Sequence, residues 1–426
     1  MSGRFVLVAL ARPRAAWLDR IVQLANSGAV AAEVHKCVGV VDLLSQIGPG
    51  RAVSAVILDA GVHGVDRDLL QQLRASGVAV VIVRDPQIPH DWSTLGADAT
   101  VRHDFSAHEL LDTLLRSAQP VSRTEFAPLG PDVGGPHGVN PWDGSLVAVL
   151  GPGGTGVSTV AAAAAQGLGR ANAGDLSAAL VDLCLCAEQA VLHDADPSNP
   201  GLLELVDLCR LGSPDPETVR PVLTAIHHRS YDLLPGLRRP RLWTQLRPAS
   251  TLEALRALRR TYDVVVADLD GDLEGESECG SADVEDRHQL SRIALEQATV
   301  VLAVGHSSMK GLHSLTRTIR QAVEFGVDPT VIQPVFNHAA SGVRSRAGYG
   351  SALAELTEGL GLTSSPIFVP TRDVDDRIRA LTPFPNAIVA PITGAIVARI
   401  HRRSAAAAEH PVPAPRTLFR RRMAAS

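Results

Sequence analysis

Residues 147–169 read VAVLGPGGTGVSTVAAAAAQGLG. An apolar run, a glycine-rich turn and an alanine-rich stretch, in that order, predict a strand, a phosphate-cradling loop and a helix. Gly151, Gly153, Gly154 and Gly156, with Thr155 among them, let successive backbone N–H groups curl around an anion. The helix starting near Ser158 points the positive end of its dipole at the same place. Against the general pattern G-x-x-x-x-G-K-[ST], Gly151 and Gly156 fit, and Ser158 takes the position whose hydroxyl binds Mg²⁺, with Thr159 after it. The lysine position is Val157.

Outward from that loop, residues 143–402 continue as one α/β pattern. Strands are expected at 146–150, 178–183, 231–234, 264–268, 299–304, 331–336 and 367–369, with helices at 159–168, 251–260, 287–297, 313–325 and 352–359. Upstream, residues 1–118 alternate strand-like runs (5–10, 29–34, 53–58, 78–83, 99–101) with amphipathic stretches. Continuous apolar strands separated by helices predict a parallel sheet covered on both faces. The front unit is therefore expected to be a flavodoxin-like doubly wound domain. Residues 119–142 are rich in Pro and Gly and read as a linker. Residues 403–426 read as a disordered basic tail with weak potential for contact with anionic lipid.

At 426 residues, 45% hydrophobic and 20% charged, the chain is neither disordered nor fibrous. A net charge of −5 argues against a nucleic-acid-coating protein, and no sequence-specific nucleic acid is expected as a partner. No apolar run reaches the roughly 18 residues of a membrane span, and the start MSGRFVLVALARPR lacks the features of a signal peptide. The scattered cysteines Cys37, Cys184, Cys186, Cys209 and Cys279 suit a reduced, cytoplasmic protein. Of the 40 basic residues, only Lys36 and Lys310 are lysines. Chemistry that requires lysine has only those positions to use.

The loop resembles the deviant phosphate loop of the MinD/ParA ATPases, K-G-G-x-G-K-[ST]-[ST]. Gly153, Gly154, Gly156, Ser158 and Thr159 match it, while the family's lysines are replaced by Pro152 and Val157. Each lost charge-assisted phosphate contact costs roughly 1.5–3 kcal/mol. The loss is larger in a phosphoryl-transfer transition state, where charge stabilisation dominates. Other landmarks keep the family's order. LVDLCLC (180–186) resembles its switch strand, with Asp182 as the first acid and Cys184 in place of the second. TYDVVVADLDG (261–271) resembles its Walker B strand, which implies that Asp268 holds Mg²⁺ through water. The resemblance further implies adenine-binding roles for Asn337 in PVFNHA (334–339) and Pro370 in PIFVPTRD (366–373).

The front unit resembles a response-regulator receiver. Asp59 ends its third strand where receivers carry the phospho-accepting aspartate, but Ala11 and Arg12 replace the acidic pair, and Arg84, His103 and Asp104 replace other active-site groups. A degenerate receiver used for docking or dimerisation is expected. A receiver followed by a MinD-like domain is the arrangement of the CpaE/TadZ proteins, and the lysine-poor loop resembles their actinobacterial septum-site-determining (Ssd) or CpaE-like branch. The resemblance implies a homodimeric positioning scaffold, cytoplasmic or peripheral at the inner membrane face. Its expected partners are a Tad/type IV-like secretion ATPase or cell-division proteins, and ATP with Mg²⁺ is the one cofactor set it allows, bound weakly or not at all and with hydrolysis lost or strongly reduced. The alternatives are an ATPase cycling between monomer and dimer, and a phosphorylation-driven regulator.

Other features read more plainly. Cys184 and Cys186 are expected as small buried residues on one strand face; a zinc site would recruit Cys209 and His193. His227 and His228 read as a surface pair before a strand. The acidic run 268–278 lacks the setting of a calcium loop. The arginines of YDLLPGLRRPRLW (231–243) read as a solvated loop or a partner contact.

Overall fold

The structure, a computed structural model, describes residues 4–13, 15–47, 52–88, 90–120, 143–171, 176–339 and 342–409. Most of the expected linker and the residues after 409 lie outside them. The first sheet is wholly parallel and comprises β1 (Phe5–Leu10), β2 (Ala32–Cys37), β3 (Ala55–Asp59), β4 (Ala79–Arg84) and β5 (Ala99–Arg102), in the order β2-β1-β3-β4-β5. Its middle strands are continuous Val, Ile, Leu and Ala, buried on both faces.

The second sheet comprises β6 (Ser145–Leu150), β7 (Ala178–Asp182), β8 (Thr224–Ile226), β9 (Tyr231–Leu234), β10 (Val264–Asp268), β11 (Val300–His306), β12 (Ile332–Ala339) and β13 (Ile367–Pro370). Their order is β13-β12-β11-β6-β10-β7-β9-β8. Every pairing is parallel except the β8–β9 hairpin at the edge. His227 and His228 occupy the turn of that hairpin, where Ser230 takes a positive φ of 66°. The chain is thus an α/β protein with mostly parallel sheets, as its alternating apolar runs imply.

The helix Val157–Gly169 is sandwiched between this sheet and the helix Asn386–Glu409. Its small side chains let the two layers approach closely. A Cβ on Gly167 would collide with the Thr393 hydroxyl, and Gln166 exchanges hydrogen bonds of 3.0 and 2.8 Å with the backbone of Phe384. The last helix runs to Glu409, beyond the point where a disordered tail was expected to begin. Alanine favours helix strongly enough to carry 403–409 without a packing requirement visible in the sequence.

The two units meet through consecutive residues at the start of the helix Arg67–Ala75. The Asp66 carboxylate caps that helix through Leu69 N (3.1 Å) and also accepts from Arg210 at 2.7 Å. Arg67 donates to the carbonyls of Cys209 and Gly212, at 3.1 Å each. Asp68 accepts from Ala249 N at 2.9 Å and from the Ser250 hydroxyl, which caps the helix Pro248–Thr261 from outside its own unit. Burial raises the pKa of Asp68, and those donors oppose the rise.

Candidate functional site

The carboxyl ends of β6, β7, β10, β11 and β12 converge around the glycine-rich turn. Gly154 and Gly156 have φ of 78° and 85°, the left-handed region where a side chain is strained. A Cβ on Gly151 would run into the Val304 carbonyl, and one on Gly156 into the Asn337 amide. Gly153 and Gly154 instead face open space. Thr155 folds the turn on itself, its hydroxyl donating to the Pro152 carbonyl at 2.7 Å. Val157, Ser158 and Thr159 form the first turn of the following helix.

Asn337 is buried, and its amide nitrogen donates to the Thr155 carbonyl at 2.9 Å, so it braces the loop from the neighbouring strand. Beside it, the rings of His306 and His338 stack with centroids 5.3 Å apart. Burial lowers the pKa of His338, with a further contribution from His306. Pro370 ends β13 and pairs across an irregular register with Ala339, three strands from the loop strand β6.

Asp182 and Asp268 lie side by side in register at the ends of β7 and β10. They are 0% and 1% exposed. Asp182 accepts from Cys184 N (3.2 Å) and Gln189 N (2.9 Å). Asp268 accepts from the Gln189 side-chain amide at 2.7 Å, and the same amide donates to the Ser158 carbonyl at 3.0 Å. Burial, together with the charge of Asp268, pushes the Asp182 carboxyl up to about 7. Burial also pushes Asp268 up to about 6, opposed by Gln189 and the nearby Ser158 hydroxyl. Gln189 was not singled out from the sequence; a lone glutamine outside any motif carries no signal until folding brings it between these groups.

Oxygen donors on Ser158 and Asp268, beside a cradle of glycine amides, fit Mg²⁺ accompanied by phosphate. The orphaned Asp268 Oδ1, buried with no hydrogen-bond partner among the described residues, supports that fit. The Cys184 sulfur, by contrast, does not suit a hard cation.

Asp59 has a different environment. It is 2% exposed and accepts from Trp17 Nε1 (3.2 Å) and Gly61 N (2.9 Å). Arg12, which stands where receivers carry an acid, reaches it at 3.0 Å and Asp85 at 2.8 Å. The guanidinium thus bridges the two carboxylates of Asp59 and Asp85.

The cysteine expectation requires correction. β7 ends at Asp182, so Cys184 and Cys186 lie beyond the strand instead of sharing its face; Cys184 is half-buried and Cys186 exposed. The strand was expected to continue to 183, but Asp182 accepts backbone hydrogen bonds that turn the chain away. Cys209 packs in the opposite layer beside Arg67. His193 bonds the Gln189 carbonyl (2.7 Å) and the Tyr231 hydroxyl (2.5 Å), and burial lowers it to about 4, so it stays neutral. These residues do not assemble as a cysteine–histidine zinc site. Of the arginines in 231–243, Arg238 pairs with Glu204 at 2.8 Å. In the acidic run, Asp270 accepts from Leu185 N at 2.7 Å.

Among the described residues, no helix is long and apolar enough to cross a membrane. No protein-family model and no curated protein matches the chain. Among solved structures it is similar to a ParA family ATPase from Chlorobium tepidum, at 15% identity and a TM-score of 0.44, covering 62% of this chain and 99% of that one. It is similar to the cell division ATPase MinD of Pyrococcus furiosus at 15% identity and a TM-score of 0.43, over 61% and 99% of the two chains. It is also similar to the septum site-determining protein MinD of Pyrococcus horikoshii, solved with Mg-ADP, at 14% identity and a TM-score of 0.44, over 63% and 99%.

Proposed function

We propose that the chain is a positioning scaffold of the CpaE/TadZ kind: a degenerate receiver joined to a MinD/ParA-like domain that holds Mg-ATP weakly and turns it over very slowly. In this reading it acts as a homodimer in the cytoplasm or at the inner membrane face. Its partner is a Tad/type IV-like secretion ATPase or the division machinery. The observation that carries the reading is the loop itself. It keeps the left-handed glycines and helix amino terminus that bind phosphate through backbone, yet offers Pro152 and Val157 where charge would be needed.

In this reading the amides of 153–159 hold the phosphate oxygens, and Ser158 with Asp268 holds Mg²⁺. The ion, when bound, neutralises charge on the terminal phosphates. Asn337 keeps the Thr155 carbonyl turned down, which leaves the loop N–H groups for the ligand. Gln189 orients Asp268 through the short amide contact. Without a loop lysine, the charge that develops during transfer has no fixed cationic partner from the loop, so binding outlasts catalysis. The phosphorylation-driven alternative is disfavoured by Arg12 seated on Asp59.

Titration with a fluorescent ATP analogue and Mg²⁺ tests the proposal. Val157→Lys should tighten binding roughly tenfold or more, equivalent to about 1.5–3 kcal/mol. Hydrolysis by the natural chain at ordinary ATPase rates, abolished by Asp268→Ala, would overturn the scaffold reading.

A further inference from the structure

We propose that Asp182, Cys184 and Asp268 form a binding site for a thiophilic divalent cation of the Zn²⁺ class, at the carboxyl ends of β7 and β10. One oxygen from each carboxylate and the cysteine sulfur all lie within 4.8 Å of one another. A tetrahedral Zn²⁺ spaces such ligand atoms about 3.5 Å apart, inside that limit.

Two buried acceptors in this cluster have nothing to accept from. Asp268 Oδ1 and Gln189 Oε1 have no hydrogen-bond partner among the described residues, and their side chains are 1% and 0% exposed. Buried acceptors left unmatched are costly, and a cation would relieve the carboxylate oxygen directly. Neutral amides donate to the two carboxylates: Cys184 N and Gln189 N to Asp182, and the Gln189 side chain to Asp268. Those donors also act as orienting groups. They fix both carboxylates and leave Asp268 Oδ1 free, the way outer hydrogen bonds prepare ligands around a metal.

Cys184 decides the ion. A third carboxylate would make a hard oxygen site suited to Mg²⁺ or Mn²⁺; sulfur shifts preference to Zn²⁺ and Co²⁺. Binding requires the thiol to lose its proton to solvent as the metal–sulfur bond forms, giving a thiolate ligand. Cys184 is half-buried, and Cys186, two residues further on, is exposed. The site shares Asp268 with the nucleotide reading but does not depend on it, since none of its ligands belongs to the glycine loop.

Metal-free full-length protein titrated with Co²⁺ tests this directly. The expected result is a thiolate-to-cobalt charge-transfer band that saturates stoichiometrically, is removed by Zn²⁺ and survives excess Mg²⁺. Cys184→Ser should abolish the band and weaken Zn²⁺ binding roughly tenfold or more. Cys186→Ser and Cys279→Ser should leave it intact. Should Cys184→Ser not fold by circular dichroism, Asp268→Asn, expected to weaken Zn²⁺ by a similar factor, replaces it. A band that persists without Cys184, that vanishes with Cys186, or that never forms overturns the proposal. Loss of ATP-analogue binding in Ser158→Ala, with the cobalt spectrum unchanged, separates the two readings.

Discussion

Each sheet of this chain buries aspartate at a strand's carboxyl end, and the two solutions are opposite. In the front sheet, Asp59 receives an indole N–H, a backbone N–H and the Arg12 guanidinium. In the second sheet, Asp182 and Asp268 stand together, held by the amides of Cys184 and Gln189 and approached by the Ser158 hydroxyl, with no cationic side chain paired to either among the described residues. A carboxylate whose charge is matched inside the protein has become part of the scaffold. A pair of buried carboxylates without a cationic side chain is eased by holding a proton, and burial beside Asp268 keeps the Asp182 carboxyl protonated up to about 7.

The largest effect should come from breaking the matched site. Asp59→Ala strands Trp17 Nε1 and Gly61 N, and should cost about 2–3 kcal/mol in urea unfolding, moderated because Arg12 keeps its pair with Asp85. Asp182→Asn should not cost as much in metal-free buffer, and an equal loss at both sites would remove the contrast.

A smaller effect is expected from pH. Asp182 holds its proton to about 7 when folded, against an ordinary value of 3.8, so the native chain binds protons that the unfolded chain has released. That contribution is complete below the unfolded value and disappears as pH rises through the folded one. In EDTA, stability should therefore fall by roughly 1–3 kcal/mol between about pH 4 and about pH 8, a slope that Asp182→Asn flattens. Urea melts across that range measure it, and a flat profile for the natural chain would place the pair's neutralisation inside the protein after all.

The smallest change is at the seam between the units. Asp68→Ala removes the outside cap from the helix Pro248–Thr261 and should cost about 1 kcal/mol. Urea melts measure that loss, while the cobalt and nucleotide assays stay unchanged.

Much of this architecture was legible in the chain. The apolar runs located most strands because parallel strands buried on both faces leave a continuous signal. The loop was legible because glycine at 151, 153, 154 and 156 has few other uses in such density. What escaped notice has a physical reason. β8 is three residues long and forms only as the partner of β9. The last helix lacks a strong amphipathic period because one stretch must face both a sheet and a neighbouring helix. Arg12 was visible as a substitution, yet its closure onto Asp59 depends on strands β1 and β3 lying adjacent. The Asp182–Cys184–Asp268 cluster draws on distant segments, so its chemistry arises from topology. The Asn337 contact with the Thr155 carbonyl joins residues 182 positions apart, which no local pattern signals.

The alanine-rich helix behind the loop is pinned at its far end, by Gln166 against the Phe384 backbone and by Gly167 against Thr393. It cannot slide like a piston when something enters the cradle. The loop end of the same helix is tied instead to the passage after β7, where the Gln189 side chain reaches both the Ser158 carbonyl and Asp268.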